Sequence, residues 1–485
     1  MEEPAEYSPS KPFLQRVAYA NGQELPYQPI WDVTDEEKHH HAEFKLGGNR
    51  IGRREVPIEP TPMALTELFY SDTIVDKFVE KTNSYARSRV APSQFEAVTR
   101  AEIFRFIAIY YYMGIVKLPS RRDYWRGGTD DLWPTHQPCL TMPRVRFEYI
   151  WRNLHLVGAV PDETDEVVDI DEEEETDLQD LENAPEDDLE DANDPEDEDQ
   201  PQAADQRWYK KVAFFIDHVS GMSRHICIRP GSRLSIDEMM KLFKGRSAQT
   251  ARMKGKPIKE GYKFWALCDA ETGYVFDFLP DGRLERQTIY DTVISLAFML
   301  PVSPVNNYVI AMDNYFTRQK VMTSLTEMGI GCVGTSRAER YWPPPEIKSI
   351  DDPRYNTLYT IPDKGGYMIA RWIDNNVVTM VTNVHTGAES VERNRKRPRR
   401  TPTNRNHLEQ VWGQNAVVKV HIPRIIDDYN HWMLGVDKAD QYIAYYRPNL
   451  RCRRVWMPLL FHAMDIVRVN SYVAASALGW KPASS

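Results

Sequence analysis

Apolar residues begin to recur at helical spacing as soon as the chain passes Thr61. In PTPMALTELFYSDTIVDKFVEKTNSYA, Leu65, Leu68, Phe69, Ile74, Val75 and Phe78 form one stripe, the mark of helix that buries a single face. A second stretch, TRAEIFRFIAIYYYMGIVKL, opens with Thr99 three residues before Glu102, the spacing of a capping box. PRVRFEYIWRNLHLV makes a third. Together they predict a mainly helical module over residues 61–158. Residues 1–60 are polar, contain prolines and show no clear period, and so read as a flexible arm.

From Trp208 the period changes to that of strands. SRLSIDEMM is a strand that ends in Asp237 and Glu238, and YKFWALCDA and GYVFDFLP form a hairpin through Glu271, Thr272 and Gly273. The helix ERQTIYDTVISLAFML then leads to NNYVIAMDNYF, a strand that ends at Asp313, and the helix TRQKVMTSLTEMG leads to the strand IGCVGTSR. This order predicts an α/β mixed sheet with acids at strand ends, the arrangement of a ribonuclease H-like core, begun over residues 207–340. Three prolines at Pro343 to Pro345 interrupt it. Residues 341–415 read as a β-rich insertion, with GGYMIARWID and NVVTMVTNVH as a hairpin and ERNRKRPRRTPTNR as a basic loop. Residues 416–485 complete the core and end in helices.

Composition changes this picture in two places. With 485 residues, 12 Trp, 25 Tyr and 17 Phe the chain can fill a sizeable core across several domains. No apolar run is long enough to cross a bilayer, the N-terminus does not read as a secretory signal, and no membrane partner is expected. The five cysteines, Cys139, Cys227, Cys268, Cys332 and Cys452, are far apart and point to a reducing compartment. Charge alters the reading more. The formal net charge is -11, but residues 162–199 carry 23 Asp and Glu and no Lys or Arg, so the remainder of the chain stands at +12. A basic body suits a polyanion such as double-stranded DNA. Residues 159–206 read as a disordered acidic insertion, which either solubilises the chain or competes with a polyanion for the basic body.

The candidate chemistry lies in IPRIIDDYNHWMLGVDKADQ. A helix starting near Gly435 would set Asp437 and Asp440, three residues apart, on one face. Such pairs also occur on solvated helices. Asp237 and Asp313 at strand ends give them a second meaning, because a folded mixed sheet could bring all four carboxylates to one edge. Oxygen-only ligands suit two Mg2+ or Mn2+ ions, which cleave phosphodiesters from positions about 3.5–4 Å apart. Basic residues that would hold the DNA fall in three clusters. Lys241, Lys244, Arg246 and Lys254 lie in the loop after the first acid. Arg393, Arg395 and Arg397 lie in the basic run, which equally reads as a solvated loop or a nuclear-targeting signal. Arg447, Arg451, Arg453 and Arg454 precede the last helix.

In SIDEMMKLFKGRS, GYKFWALCDAETGYVFDF, MDNYFTR, IPRIIDDYNHWMLGVDKADQ and RVWMPLLFHAMDIVRVNSY the chain resembles the piggyBac family of transposases. SDTIVDKFVEKTNSYA, GIVKLPSRRDYW and PRVRFEYIWRNLHLV match the helical part that precedes the core there. The resemblance implies a catalytic triad of Asp237, Asp313 and Asp437, with Asp440 as a further acid beside the metals. It also implies a ribonuclease H-like fold, a nuclear, homodimeric transposase, and a DNA-binding and dimerisation role for the helical module. The implied reaction is hydrolytic nicking followed by strand transfer from a 3′-hydroxyl at TTAA targets. Of the Trp pair common near the family's last helix, only Trp456 is matched, and the resemblance implies that it contacts DNA. No Cys follows Cys452, so no structural zinc of a cysteine-rich tail is expected. The other implied reading is a domesticated, transposition-incompetent DNA-binding or chromatin protein.

Overall fold

The computed structural model describes residues 14–17, 27–45, 60–126, 135–157, 207–253, 256–303, 306–337, 347, 355–374, 376–400, 405–448 and 450–482. The acidic insertion and Lys254 lie outside the described residues. The helical module contains α1 (Pro62–Phe69), α2 (Asp72–Arg89), α3 (Arg100–Ile115), α4 (Gln137–Thr141) and α5 (Arg144–Asn153). Thr61 caps α1, and the first apolar stripe breaks into two helices at Tyr70 and Ser71. The Thr99–Glu102 capping box closes in both directions at the start of α3. No helix among the described residues is long and apolar enough to cross a membrane.

The remaining elements in chain order begin with β1 (Leu14–Val17) and β2 (Glu43–Phe44), followed after the helical module by α6 (Ala213–Ile226) and β3 (Cys227–Arg229). Next come β4 (Arg233–Leu242), β5 (Ala251–Arg252), β6 (Glu260–Asp269), β7 (Val275–Asp281) and α7 (Ile289–Phe298). Then β8 (Val309–Met312), α8 (Gln319–Glu327), β9 (Gly331–Ser336), β10 (Thr357–Pro362), β11 (Met368–Ile373) and β12 (Val377–Thr382) follow. The chain continues through β13 (Ser390–Lys396), α9 (Arg405–Trp412), β14 (Val417–Pro423), α10 (Arg424–Trp432), α11 (Gly435–Tyr446) and α12 (Met457–Ala477).

Ten of the described strands form one mixed sheet in the order β1-β10-β11-β12-β9-β8-β4-β6-β5, with β7 also on β6. β4, β8 and β9 run parallel to one another, and β6 and β7 return antiparallel. β10, β11 and β12 continue the same sheet through β12 on β9. Alternation along β8 sends Ile310 and Met312 into one core and Val309 and Ala311 into the other. The first core also takes in the helical module and α12, whose residues from Met457 to Val467 are all buried. α12 therefore joins module and sheet into one hydrophobic mass.

The structure corrects three expectations. The described part of residues 1–60 is not a free arm: β1 pairs with β10, Trp31 and Val33 are buried, and the His40 N–H donates to Ser232 Oγ at 2.7 Å. The strand carrying Asp237 does not end there but runs on to Leu242, against β6. The first half of the basic run is no loop, because β13 pairs with β14 over its whole length.

Candidate active site and basic cleft

The pairing of β4 with β8 stops at Ile236 opposite Met312. Continuing that register by one residue sets Asp237 beside Asp313, on strands about 4.8 Å apart. Asp313 lies immediately beyond β8, where its Oδ1 accepts the Tyr315 N–H at 2.8 Å. Its parity is that of Val309 and Ala311, so it emerges on the face covered by α10. Asp237 shares parity with Ser235, on the face where α11 begins.

Gly435 makes the docking of α11 close. A Cβ there would lie 2.5 Å from Ser235 Oγ and 3.0 Å from the Asp269 carbonyl oxygen, so only glycine lets the helix start against the sheet. The Val436 N–H donates to Ser235 Oγ at 3.1 Å, and Lys438 Nζ to the Ala270 carbonyl at 2.6 Å. Asp437 thus occupies the exposed side of the first turn, and Asp440 lies half-buried one turn on.

Lys256 ties these acids together. Its Nζ is 3.1 Å from Glu238 Oε1 and 3.7 Å from Asp237 Oδ2. Its charge is also felt by Asp313 and Asp440, and it feels that of Asp437. Five carboxylates therefore share the field of one ammonium. Burial, then the hydrogen bond and charge of Glu238, push Asp237 well above the usual carboxylate range. Burial also works against the charge of Glu238, but the Asp237 hydrogen bond and Lys256 outweigh it and hold Glu238 low. Burial raises Asp313 too, and it raises Asp440 to about 7, helped by Asp437 and Glu238. For Lys256 burial is outweighed by Asp237, Glu238 and Asp437, which keep the ammonium charged beyond the ordinary lysine range. Tyr429 of α10 completes this side of the site: burial raises its phenol, as do the charges of Asp313 and Asp237.

As donors the acids would suit a hard divalent cation, since each candidate ligand is a carboxylate and several are desolvated. The arrangement is not a closed shell. Among the described residues no three His, Cys, Asp or Glu side chains are grouped so as to hold a metal ion, and an ammonium lies beside two of the acids.

Beside the acids, the connection from β4 to β6 opens a cleft of about 1000 Å³. Lys244, Arg246, Arg252, Lys259 and Arg447 line it, with Pro257 and Ile258 next to Lys256. Glu260 is the acid on its wall and lies 3.7 Å from Arg252. Arg447 links the two features, because its charge also reaches Asp440. Lys244 and Arg246 are thus where a phosphate backbone would want them, and Arg451 and Arg453 are also exposed.

Other residues expected to meet DNA have partners within the fold. Lys241 is buried, its Nζ 2.7 Å from Asp465 of α12. Arg393 makes a bidentate pair with Asp427 at 2.6 Å on both arms, and Arg395 pairs with Asp374 and lies over Trp372. Arg397 is half-buried, with its N–H donated to the Ala416 carbonyl at 2.8 Å. Arg454 donates to the carbonyls of Leu154 and Trp151. Trp456 is buried in the core edge-on to His155. Arg393 keeps an exposed side chain while paired, whereas Lys241 and Trp456 are buried; in the linear chain their partner carboxylate or core is out of sight.

A family model described as Transposase IS4 matches residues 61–472. Human PiggyBac transposable element-derived protein 3 is 25% identical over 442 residues, which cover 87% of this chain and 62% of that protein. The chain belongs to the piggyBac family of transposases. A second human relative, PiggyBac transposable element-derived protein 2, is 23% identical over 85% of this chain and 61% of its own. The piggyBac chain described here thus spans less than two thirds of the length of these relatives. The cryo-EM structure of a piggyBac transposase synaptic complex with hairpin DNA shares its fold, with a TM-score of 0.59 and 20% identity over 88% of this chain and 77% of that one.

Two members of the site in this piggyBac-family chain do not stand out in the sequence as site residues. Glu238 is visible there as the neighbour of Asp237 in SIDEMM, and that double acid is the available signal. Lys256 carries none, because its contact with Asp237 and Glu238 is made only in the folded chain.

Proposed function

We propose that this chain cleaves DNA strands and joins them by metal-dependent phosphoryl transfer at TTAA targets. The observation that carries this reading is the meeting of Asp237, at the limit of the β4–β8 pairing, Asp313, just beyond β8, and the acids opening α11, all within the field of Lys256. Strand order supports it further: an antiparallel β7-β6-β4 run followed by parallel β8 and β9 is the order of a ribonuclease H-like core, with the acids at one edge.

Asp237, Asp313 and Asp437 would hold two Mg2+ or Mn2+ ions, with Asp440 as a further acid. Such a pair supplies activation of the attacking water or 3′-hydroxyl and charge stabilisation at the leaving oxygen. Around it, Lys244, Arg246, Arg252, Lys259 and Arg447 bind the phosphate backbone and set its path toward the acids. The similar fold solved with hairpin DNA makes duplex ends the natural substrate to try.

The test is incubation of the full chain with TTAA-containing duplex and Mg2+ or Mn2+. Strand cleavage that requires the ion is expected. Salt-sensitive binding with no cleavage would instead favour the domesticated DNA-binding reading.

A further inference from the structure

Lys256 lies between β5 and β6. Its N–H donates to the Met253 carbonyl at 3.3 Å, and the Met253 N–H donates to the Lys259 carbonyl at 2.8 Å. From there the side chain reaches Asp237 and Glu238, while its chain neighbours Pro257, Ile258 and Lys259 line the basic cleft. The side chain is 29% exposed, so one lysine touches the acids and stays open to solvent next to the residues that line the cleft.

An ammonium and a hard divalent cation want the same oxygens. Lysine offers a compact charge on a flexible stem, able to leave one anion for another without moving its backbone. We propose that Lys256 is the resident counter-ion of the acid cluster: it holds Asp237 and Glu238 when no divalent cation is bound, and passes to a DNA phosphate in the adjoining cleft when one is. This rests on the acids being a cation site. It makes two things follow. The apo fold keeps its desolvated carboxylates compensated, and cation loading releases a positive charge toward the substrate, coupling the two binding events.

The experiment measures Mn2+ binding to the full chain without DNA by electron paramagnetic resonance, in wild type, Lys256→Met, Lys256→Arg and Asp237→Asn. Removing the competitor should tighten Mn2+ binding to Lys256→Met roughly tenfold, the scale of one hydrogen bond to a charged group. Lys256→Arg should stay near wild type, and Asp237→Asn should bind Mn2+ more weakly. Amine labelling of the wild-type chain gives a second reading that does not depend on any variant folding: Mn2+ should raise the reactivity of Lys256 roughly severalfold as it leaves the carboxylates. Equal Mn2+ affinity in wild type and a folded Lys256→Met, or labelling unchanged by Mn2+, overturns the role of Lys256 while leaving the cation site standing. Absence of Mn2+ binding in wild type overturns the cation site and this inference with it.

Discussion

Lys241 and Lys256 both leave the β4–β6 segment to meet carboxylates, and their surroundings separate structure from function. Lys241 pairs with Asp465 inside the core, where Asp465 is fully buried and also accepts from Tyr110 at 3.1 Å. Arg468, 3.9 Å from the same carboxylate, completes a cluster of one acid, two bases and a phenol that closes on itself. Lys256 instead faces a surplus: Glu238 and Asp237 lie beside a partly exposed ammonium that three further carboxylates also feel or act on, and burial of most of the five works against their charge. A closed pair locks helix to sheet, whereas an open, over-supplied one is poised to take a further cation. Both lysines stand in basic sequence, so their difference comes wholly from what the fold brings to them.

Breaking the closed pair should produce the largest change in stability. Lys241→Met leaves the buried Asp465 carboxylate with only the more distant Arg468 as a base and should cost about 3 kcal/mol in denaturant unfolding. Lys241→Met combined with Asp465→Leu should recover much of that deficit. On the open side, Asp237→Asn removes a charge that burial already disfavours. Its unfolding free energy without divalent cation should stay within about 1 kcal/mol of wild type, or rise, while DNA cleavage disappears.

The cleft and the strands carrying basic residues sharpen the same contrast. Changing Lys244 and Arg246 to Gln should lower the salt slope of DNA binding by about 0.9 for each phosphate that is no longer neutralised, with little effect on folding. Arg393→Gln should do the reverse, destabilising β13 against α10 with little change in slope, because its partner is Asp427. The smallest expected effect is that of pH. Asp440 has a raised folded value, so protonation favours the fold: its contribution to stability should be fully present below the ordinary carboxylate range and fade as pH rises toward and through about 7. In EDTA, Asp440→Asn should flatten that part of the stability profile measured by thermal unfolding.

Local signals in the sequence carried the elements that position the site. Gly435 marks the start of α11, Thr99 and Glu102 form the cap of α3, and Asp313 falls directly after the apolar run of β8. These were legible because period, caps and breakers act within a few residues. Partners distant in the chain were not. Lys241 looks like the start of a basic loop until α12 delivers Asp465, and Arg393 looks solvated until α10 delivers Asp427. Trp31 and Val33 lie in a polar stretch, yet the second core buries them. Lys256 joins the acids only because β5 and β6 turn it back toward β4.

The most direct test of an acid cluster at the catalytic centre is nicking of TTAA-containing duplex in Mg2+ by wild type and by Asp313→Asn, with unfolding temperatures measured alongside. Asp313 lies beside Asp237 at the strand edge and is not paired with Lys256 at close range, so replacing it isolates the acid cluster from the lysine. Nicking should fall by at least about 100-fold at unchanged unfolding temperature, since the remaining acids cannot replace a missing oxygen ligand. Nicking by a folded Asp313→Asn at the wild-type rate would contradict that assignment.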